Sequence, residues 1–488
     1  MTLPRLALLS LLVQALAGAP PARAQGDVPR LPDTPIGRIV AQYLELFNRG
    51  DESAMRAFFA ENVAAGALER RSAEARTQIY HEMLGENRGF ELRRVLEVAK
   101  SSITVLLHTK KDEWRKIEFE FDADPPHKLL GLGVEDAEAP KDATPAAPEV
   151  LAPMTENEAL ARLNAYLDET VRTDQFSGTV LVARNGVPIL QRTFGMADAE
   201  RKIPNRPDTK FNLGSVNKLF TQVAIGQLVE QGKLTFDTRI GSVLPDYPNK
   251  DAAAKVTVRQ LLTLTSGIGD IFGPRFDATP KERLRFTADF MALFADLPLE
   301  FEPGSRQQYS NGGYIVLGAI IEKVSGRSYD DYVQEHICRP AGMLDTESYE
   351  RDAPVPNRAI GYTRDEGRAA GPRHSNRETL PARGSSAGGG YSTAPDLLNL
   401  AMAVHGNRLL TPPYTTWFVT RVEPSAASVP DSGRTRSFGW LGGSPGVNAA
   451  FKSNAATGYT LIVLSNYDPP SATEISREIE KLLSQIRK

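Results

Sequence analysis

The sequence predicts an α+β protein built from two folded parts that a linker separates. The first observation is length, because 488 residues exceed one ordinary hydrophobic core and suffice for two domains. The second is the stretch Glu135 to Pro153, rich in Pro, Ala and acidic residues and without periodicity. The third is a switch, before this stretch, from helical spacing to strands. We assign residues 25–135 to the first part, 136–153 to the linker and 154–488 to the second part.

Composition places the chain among ordinary globular proteins. Hydrophobic residues make up 41% of it and charged residues 24%. Lys plus Arg number 57 against 60 Asp plus Glu, so there is no broad basic field for nucleic acid phosphates. We expect a soluble protein that does not bind nucleic acid.

The first 24 residues have the pattern of a cleaved secretory signal. Arg5 precedes an apolar run from Leu6 to Leu16, and small residues follow up to Ala24. The run is shorter than the ~20 residues that a bilayer span needs, although a buried N-terminal helix or an uncleaved anchor would share the pattern. We predict cleavage after Ala24 and a periplasmic or secreted product without a transmembrane anchor.

The first part of the mature chain begins with helices and ends with strands. Apolar residues recur at helical spacing from Ile36 to Phe47 and again from Met55 to Phe59, and a third helical stretch lies at Thr77 to Leu84. An antiparallel sheet is expected after the helices. Its strands are predicted at Phe90–Glu97, Ser102–Thr109, Trp114–Phe121 and Lys128–Val134.

This element order, which opens on YLELFNRGDESAMRAFFAENV, resembles the cone-shaped nuclear transport factor 2-like superfamily. The resemblance implies a cone-like α+β domain. Domains of that kind can be enzymes, ligand pockets or dimerisation modules, so no site residue is assigned to this part. We expect it to mediate contacts, self-association included, or to cover the cleft of the second part. The alternative that it carries the main chemistry stays open.

The second part opens on a β-hairpin and then places a serine at a helix start. Apolar strands at Phe176–Ala183 and Val187–Gly195 flank Asn185-Gly186, a dipeptide typical of hairpin turns. Farther on, FNLGSVNKLF continues as an apolar-periodic helix from Thr221 to Gln231. Ser215 therefore lies where a helix offers free backbone N–H groups and the positive end of its dipole.

Ser215 and Lys218 have the spacing of a nucleophile and its base. A serine hydroxyl is a poor nucleophile until a base removes its proton and donors stabilise the developing oxyanion. Lys218 lies three residues on, so its side chain shares the helix face of Ser215. A buried lysine can be partly deprotonated and act as that base. Helices with Ser and Lys at this spacing on a solvated surface are common, so the pair alone does not establish an active site.

A second segment, FEPGSRQQYSNGGY, leads into an apolar helix that ends at Val324-Ser325-Gly326. Tyr309 can relay a proton if neighbouring cations stabilise its phenolate. The Asn311 amide can bond both Lys218 and a substrate carbonyl. A helix N-cap formed by the Ser or Asn of YSN is the structural alternative, and it is compatible with catalysis.

Two more segments accompany these, LLTLTSG at 261–267 and SAGGGYST at 386–393. Together with Ser-x-x-Lys, FEPG and YSN they resemble the β-lactamase-related serine hydrolases over residues 176–470. That group includes class C β-lactamases, D-alanyl-D-alanine carboxypeptidases and serine esterases. The resemblance implies a penicillin-binding/β-lactamase-like domain with an antiparallel sheet flanked by helices and a helical subdomain. No cofactor or metal is expected, because the sequence lacks clustered His or Cys ligands at metal spacing and acyl transfer by a serine needs none.

The resemblance also implies roles for the site residues. Ser215 would form the acyl-enzyme, and Lys218 with Tyr309 would deprotonate it and then activate the hydrolytic water. Asn311 would position the substrate amide. The family's Lys-x-Gly or His-x-Gly strand corresponds to Trp440-Leu441-Gly442-Gly443. By position, the N–H groups of Ser215 and Gly443 would form the oxyanion hole.

Trp440 departs from the family pattern. A Lys or His there can be cationic and bind a substrate carboxylate, whereas indole is uncharged and offers one N–H donor. His374 and His405 are the other candidates for the missing cation, and a structural or surface position is favoured for each. We predict an exported esterase-like hydrolase acting on a small molecule or peptide with an ester or amide bond. The alternatives are a D-alanyl-D-alanine carboxypeptidase or β-lactamase, and a weakly active or non-catalytic protein that binds cell-wall peptide or another partner.

Overall fold

The computed structural model describes residues 31–70, 72–99, 101–122, 125–137, 154–364, 371–420 and 437–486. The predicted signal and residues 138–153 of the predicted linker lie outside these ranges, so both stay predictions. Of the helices within the ranges, none has the length and apolarity that crossing a membrane requires.

The first part consists of helices followed by an antiparallel sheet, which confirms the predicted layout. Its strands pair in chain order. The short helix α3 was not predicted, and β4 continues past the boundary that the sequence placed at Glu135. The elements are α1 (Pro35–Arg49), α2 (Glu52–Asn62), α3 (Ala65–Arg70), α4 (Ala73–Asn87), β1 (Phe90–Val98), β2 (Ser102–Thr109), β3 (Trp114–Phe121) and β4 (Leu129–Ala137).

Aromatic side chains join these helices to the sheet. The α1 residue Tyr43 meets Phe119 of β3 edge-on with ring centroids 5.2 Å apart, and Phe47 stacks on Phe90 of β1 at 4.3 Å. All four side chains are buried in one hydrophobic cluster, which contains residues of the first part only. The first part thus has a core of its own, while its membership of the nuclear transport factor 2-like superfamily stays a prediction.

The second part is built on a five-stranded antiparallel sheet between helices. The helices are α5 (Glu156–Arg172), α6 (Lys218–Glu230), α7 (Ile240–Val243), α8 (Lys250–Lys255), α9 (Val258–Leu262), α10 (Pro274–Ala278), α11 (Thr287–Met291), α12 (Asn311–Ser325), α13 (Tyr329–Val333), α14 (Arg339–Ala341), α15 (Ala394–His405), α16 (Pro412–Thr420) and α17 (Ser471–Ser484). The strands are β5 (Gly178–Arg184), β6 (Val187–Phe194), β7 (Met196–Asp198), β8 (Ile203–Pro204), β9 (Phe211–Asn212), β10 (Tyr362–Thr363), β11 (His374–Ser375), β12 (Tyr391–Ser392), β13 (Ser437–Ser444), β14 (Val447–Asn454) and β15 (Tyr459–Ser465).

The sheet has the order β13-β14-β15-β5-β6 and is covered on both faces. Because strand side chains alternate, Val180 and Val182 of β5 pack into the cluster formed with α5 and α17. Leu181 and Ala183 pack into the larger cluster on the opposite face, which contains α6, α12 and α15. The helices α7 to α11 lie between α6 and α12 in the chain and form the helical subdomain. The predicted fold class is therefore confirmed.

The β5–β6 hairpin turns at Asn185-Gly186, as predicted. Both residues have positive φ angles, 51° and 79°, which a two-residue turn between right-twisted strands requires.

The two parts meet at α17. Glu474 Oε1 accepts from Arg88 Nη2 at 2.9 Å and lies 3.0 Å from Lys111 Nζ. Both basic residues belong to the first part, so this carboxylate joins it to the helix that covers the sheet of the second part.

Candidate active site

Ser215 lies on a 3₁₀ turn, Gly214–Asn217, that leads directly into α6. The predicted helix start is therefore present with a tighter first turn. Gly214 has a φ angle of +49°, and a Cβ there would lie 2.9 Å from the backbone nitrogen of Gly443. Glycine is needed at this position because the turn runs against a neighbouring strand.

The Ser215 hydroxyl touches both predicted proton-handling groups. Its Oγ is 2.6 Å from the Tyr309 hydroxyl oxygen and 3.2 Å from Lys218 Nζ. Ser215 itself is half-buried, so a substrate can reach it. The three residues that the sequence singled out thus lie in direct contact.

Lys218 is completely buried and surrounded by acceptors. Its Nζ lies 2.7 Å from Asn311 Oδ1 and 2.5 Å from the carbonyl oxygen of Ala387. Burial lowers the pKa of Lys218 to about 7, against the opposing effect of the Asp270 carboxylate. A neutral amine has two N–H groups and one lone pair. Since Asn311 Oδ1 and the carbonyl can only accept, they take both N–H groups and leave the lone pair for the Ser215 hydroxyl.

The pKa of Tyr309 is shifted in the opposite direction to that of Lys218. Burial raises the pKa of its phenol, and the Asp270 carboxylate raises it further, while hydrogen bonds with Ser215 and Trp440 counteract part of the rise. Solvent screens some of this effect because Tyr309 is 45% exposed. Tyr309 is therefore a neutral phenol near pH 7, suited to relaying a proton, and Lys218 is the stronger candidate for the base.

Asn311 is the first residue of α12, and Ser310 caps that helix by accepting from Gly313 N at 2.9 Å. The capping alternative thus holds for Ser310. The Asn311 amide is engaged on both sides, by Lys218 through Oδ1 and by the Asp270 carboxylate through Nδ2 at 3.0 and 3.1 Å. Its role in substrate binding stays a prediction.

The predicted third element forms the end of β13 and lies against the nucleophile turn. A Cβ on Gly442 would lie 2.1 Å from the carbonyl oxygen of Leu213 and 2.9 Å from the backbone nitrogen of Ser215. Only glycine fits so close a contact. The strand thereby brings the backbone of Gly443 next to that of Ser215, the two N–H groups predicted for the oxyanion hole.

Asn448 of β14 holds this strand in place. Its Nδ2 donates to the carbonyl oxygen of Gly442 at 2.9 Å. Its Oδ1 accepts from the backbone N–H groups of Ala472 and Thr473, at 2.6 and 3.0 Å, in the first turn of α17. The start of α17 is therefore connected to the oxyanion strand through one side chain.

Trp440 lies in the site, with its ring 5.9 Å from that of Tyr314. The two histidines that are the other candidates for the missing cation have partners of their own. His405 Nε2 lies 2.8 Å from Ser453 Oγ, and burial lowers the pKa of His405, which disfavours a cation there. His374 belongs to β11 and pairs with Thr363.

Sequence reasoning missed Asp270 and Asn448. Asp270 follows the LLTLTSG segment, in the sequence SGIGD, and this proximity to a motif was the available signal. Asn448 carries no signal, because its importance arises only from the packing of β14 beside β13.

The fold is that expected of a β-lactamase-like domain, with Ser215, Lys218 and Tyr309 in contact at one site, and the comparisons agree with this fold. The family model described as Beta-lactamase matches residues 163–484, well over half of the chain, so the protein belongs to the Beta-lactamase family.

Individual relatives have different names. Penicillin-binding protein 4* of Bacillus subtilis is 36% identical over 196 residues, which cover 39% of this chain and 43% of that protein, less than half of its length. Esterase EstB of Burkholderia gladioli is 32% identical over 276 residues, 51% of this chain and 70% of the esterase. A crystal structure of a penicillin-binding protein from Bacillus halodurans is 32% identical with a TM-score of 0.57, covering 64% of this chain and 99% of that one.

Proposed function

We propose that this protein is an exported serine hydrolase that cleaves uncharged esters through an acyl-enzyme on Ser215. The observation that carries the proposal is the contact of the Ser215 hydroxyl with a buried lysine amine and a phenol at once. A serine in contact with two groups that can take and return a proton has what nucleophilic catalysis needs.

Acylation follows from this arrangement. Neutral Lys218 takes the Ser215 proton as Oγ attacks the ester carbonyl carbon. The carbonyl oxygen becomes an oxyanion, which the N–H groups of Ser215 and Gly443 stabilise. When the tetrahedral intermediate collapses, the C–O bond to the alcohol breaks. The departing alkoxide takes a proton from the Tyr309 hydroxyl, and the protonated Lys218 amine returns one to the Tyr309 oxygen while Ser215 Oγ stays bonded to the acyl group.

Deacylation reverses the proton path. Water attacks the acyl carbonyl and gives up its proton to the Tyr309 and Lys218 pair, and the proton returns to Ser215 Oγ as the acid product leaves. Neutral Lys218 is restored, so no net proton remains on the site after the carboxylic acid has dissociated.

Two features favour an uncharged ester over a β-lactam or a peptide carboxylate. By the resemblance, Trp440 stands where a cation would anchor a carboxylate, and its uncharged ring lies 5.9 Å from that of Tyr314. Phe272, two residues beyond Asp270, adds an apolar side chain that is 59% exposed. The relative named an esterase agrees with this preference.

A substrate panel tests the proposal. Purified protein is assayed with p-nitrophenyl butyrate, a chromogenic cephalosporin and a peptide ending in D-alanyl-D-alanine, beside Ser215→Ala. We expect turnover of the ester that Ser215→Ala abolishes, with kcat/KM for the other two substrates at least 100-fold lower. Preferred turnover of either carboxylate substrate would establish the alternative activity. Binding of peptide that survives Ser215→Ala, without turnover of any substrate, would establish a non-catalytic protein.

A variant of Trp440, the residue that departs from the family pattern, tests why an uncharged ester would be preferred. Trp440→Lys supplies the missing cation, and we expect it to raise kcat/KM on the cephalosporin or the peptide relative to the ester. Unchanged relative specificity would show that Trp440 does not set it.

A further inference from the structure

Asp270 lies in the loop between α9 and α10 and faces the start of α12. Its carboxylate accepts from two groups of one residue: the backbone N–H of Asn311 at 3.1 Å, and the side-chain Nδ2 of Asn311 at 3.0 and 3.1 Å. A further bond comes from the backbone N–H of Phe272 at 3.1 Å. The carboxylate is thus bound to the loop and to the first residue of the helix together.

These bonds fix which way the Asn311 amide points. An ionised carboxylate only accepts hydrogen bonds, so it selects the NH₂ side of the amide. The carbonyl side must then point the other way, and Oδ1 lies 2.7 Å from Lys218 Nζ. A flipped amide would place its oxygen against the carboxylate and its N–H groups against those of Lys218. Asp270 excludes that orientation.

We propose that Asp270 is a positioning residue for acylation: through Asn311 it holds the Lys218 amine with its lone pair directed at Ser215. The proposal rests on the proposed function, in which Lys218 is the base. Asp270 binds Asn311 and acts on Lys218 and Ser215 through it.

The charge of Asp270 adds an effect that a neutral side chain of the same shape lacks. The titratable groups around Lys218 are Asp270 and the phenols of Tyr309 and Tyr314, whose rings lie 4.8 and 5.2 Å from Nζ. Asp270 opposes the lowering of the Lys218 pKa by burial. Removing its charge therefore lowers that pKa, whereas a loss of packing alone does not move it in that direction.

The test compares Asp270→Asn with the wild type in two measurements. The first is kcat/KM for p-nitrophenyl butyrate against pH. We expect a loss of about 10- to 100-fold with little change in KM, and an acid limb displaced to lower pH. The second is the Lys218 pKa, followed by NMR of protein with ¹³C-labelled lysine and assigned with Lys218→Met. We expect it to fall in Asp270→Asn.

Controls separate position from charge. Asp277→Asn removes an exposed charge from α10 and should change neither measurement. Asp270→Glu keeps the negative charge but lengthens the side chain by one methylene group. We therefore expect kcat/KM to fall while the acid limb of its pH profile stays where it is in the wild type. In an Asn311→Ala background, Asp270→Asn should cost little further rate, because the link is already gone.

The outcomes are distinct. A folded Asp270→Asn with unchanged rate and unchanged Lys218 pKa overturns the proposal. Should Asp270→Asn not fold, Asp270→Glu at wild-type rate overturns it instead. A wild type without ester turnover overturns the proposed function, and the NMR measurement still decides whether Asp270 acts on Lys218.

Discussion

The protonation of Lys218 links the chemistry of the site to the stability of the fold. An exposed lysine has a pKa of about 10.4, whereas burial lowers that of Lys218 to about 7. Between these values the unfolded chain binds a proton at this residue that the folded chain does not. Folding is therefore disfavoured at neutral pH by the residue that makes the serine reactive.

The direction in which the free energy of unfolding changes with pH can be predicted. Because the unfolded state binds more protons between pH 7 and about 10, the contribution of Lys218 to the free energy of unfolding rises with pH across that window. Lys218→Met removes the titrating group. We expect the free energy of unfolding of the wild type, minus that of Lys218→Met, to grow as pH rises from 7 to 9.5. Urea denaturation at several pH values measures it, and a flat or falling difference would contradict the lowered pKa.

The site residues differ in how far the sequence could predict them. Ser215 and Lys218 are neighbours on one turn, and Tyr309 belongs to a recognisable segment, so local spacing and resemblance sufficed. Asp270 reaches Asn311 across 41 positions in sequence. A contact of that kind depends on how the loop folds against α12, which no local pattern encodes.

Between elements, the close approach of β13 to the nucleophile turn is the feature on which the oxyanion hole depends.

Long elements with clear periodicity, such as α1, β5 and α12, were predicted from the sequence. The short helices α7 to α11 were not, because runs of about five residues carry too little periodicity and take their shape from the packing around them.

Gly442→Ala tests this approach. Its Cβ would meet the Leu213 carbonyl oxygen at 2.1 Å, so β13 must move away from Ser215. We expect kcat for p-nitrophenyl butyrate to fall about 100-fold or more, the effect of losing an oxyanion donor. Gly133→Ala is the matched control, since a Cβ there meets no atom within 4 Å. Equal activity of the two variants would show that β13 does not support the reaction.

At the scale of the whole molecule, two parts with separate cores meet at Glu474 of α17. We propose that residues 138–153, which follow the end of β4, divide them and that the second part holds the complete hydrolase. The first part then contributes contacts, and α17 is the element through which it would influence the site, since Thr473 binds Asn448. Self-association through the first part and cleavage after Ala24 stay predictions.

Limited proteolysis tests this division. Cleavage within residues 138–153 should release a stable fragment that retains Ser215-dependent ester turnover within about 3-fold of the uncut protein, because the site residues all lie beyond Pro153. Glu474→Gln weakens the contact between the parts and should leave turnover similar. Loss of all activity from a folded fragment would assign an essential role to the first part.

Covalent labelling tests directly whether Ser215 is the nucleophile. The intact protein is incubated with a fluorophosphonate probe, digested and analysed by mass spectrometry, beside Ser215→Ala and Lys218→Met. We expect one adduct, located on Ser215, absent from Ser215→Ala and formed much more slowly in Lys218→Met. An adduct on another residue, or none at all in protein that is folded, would contradict it.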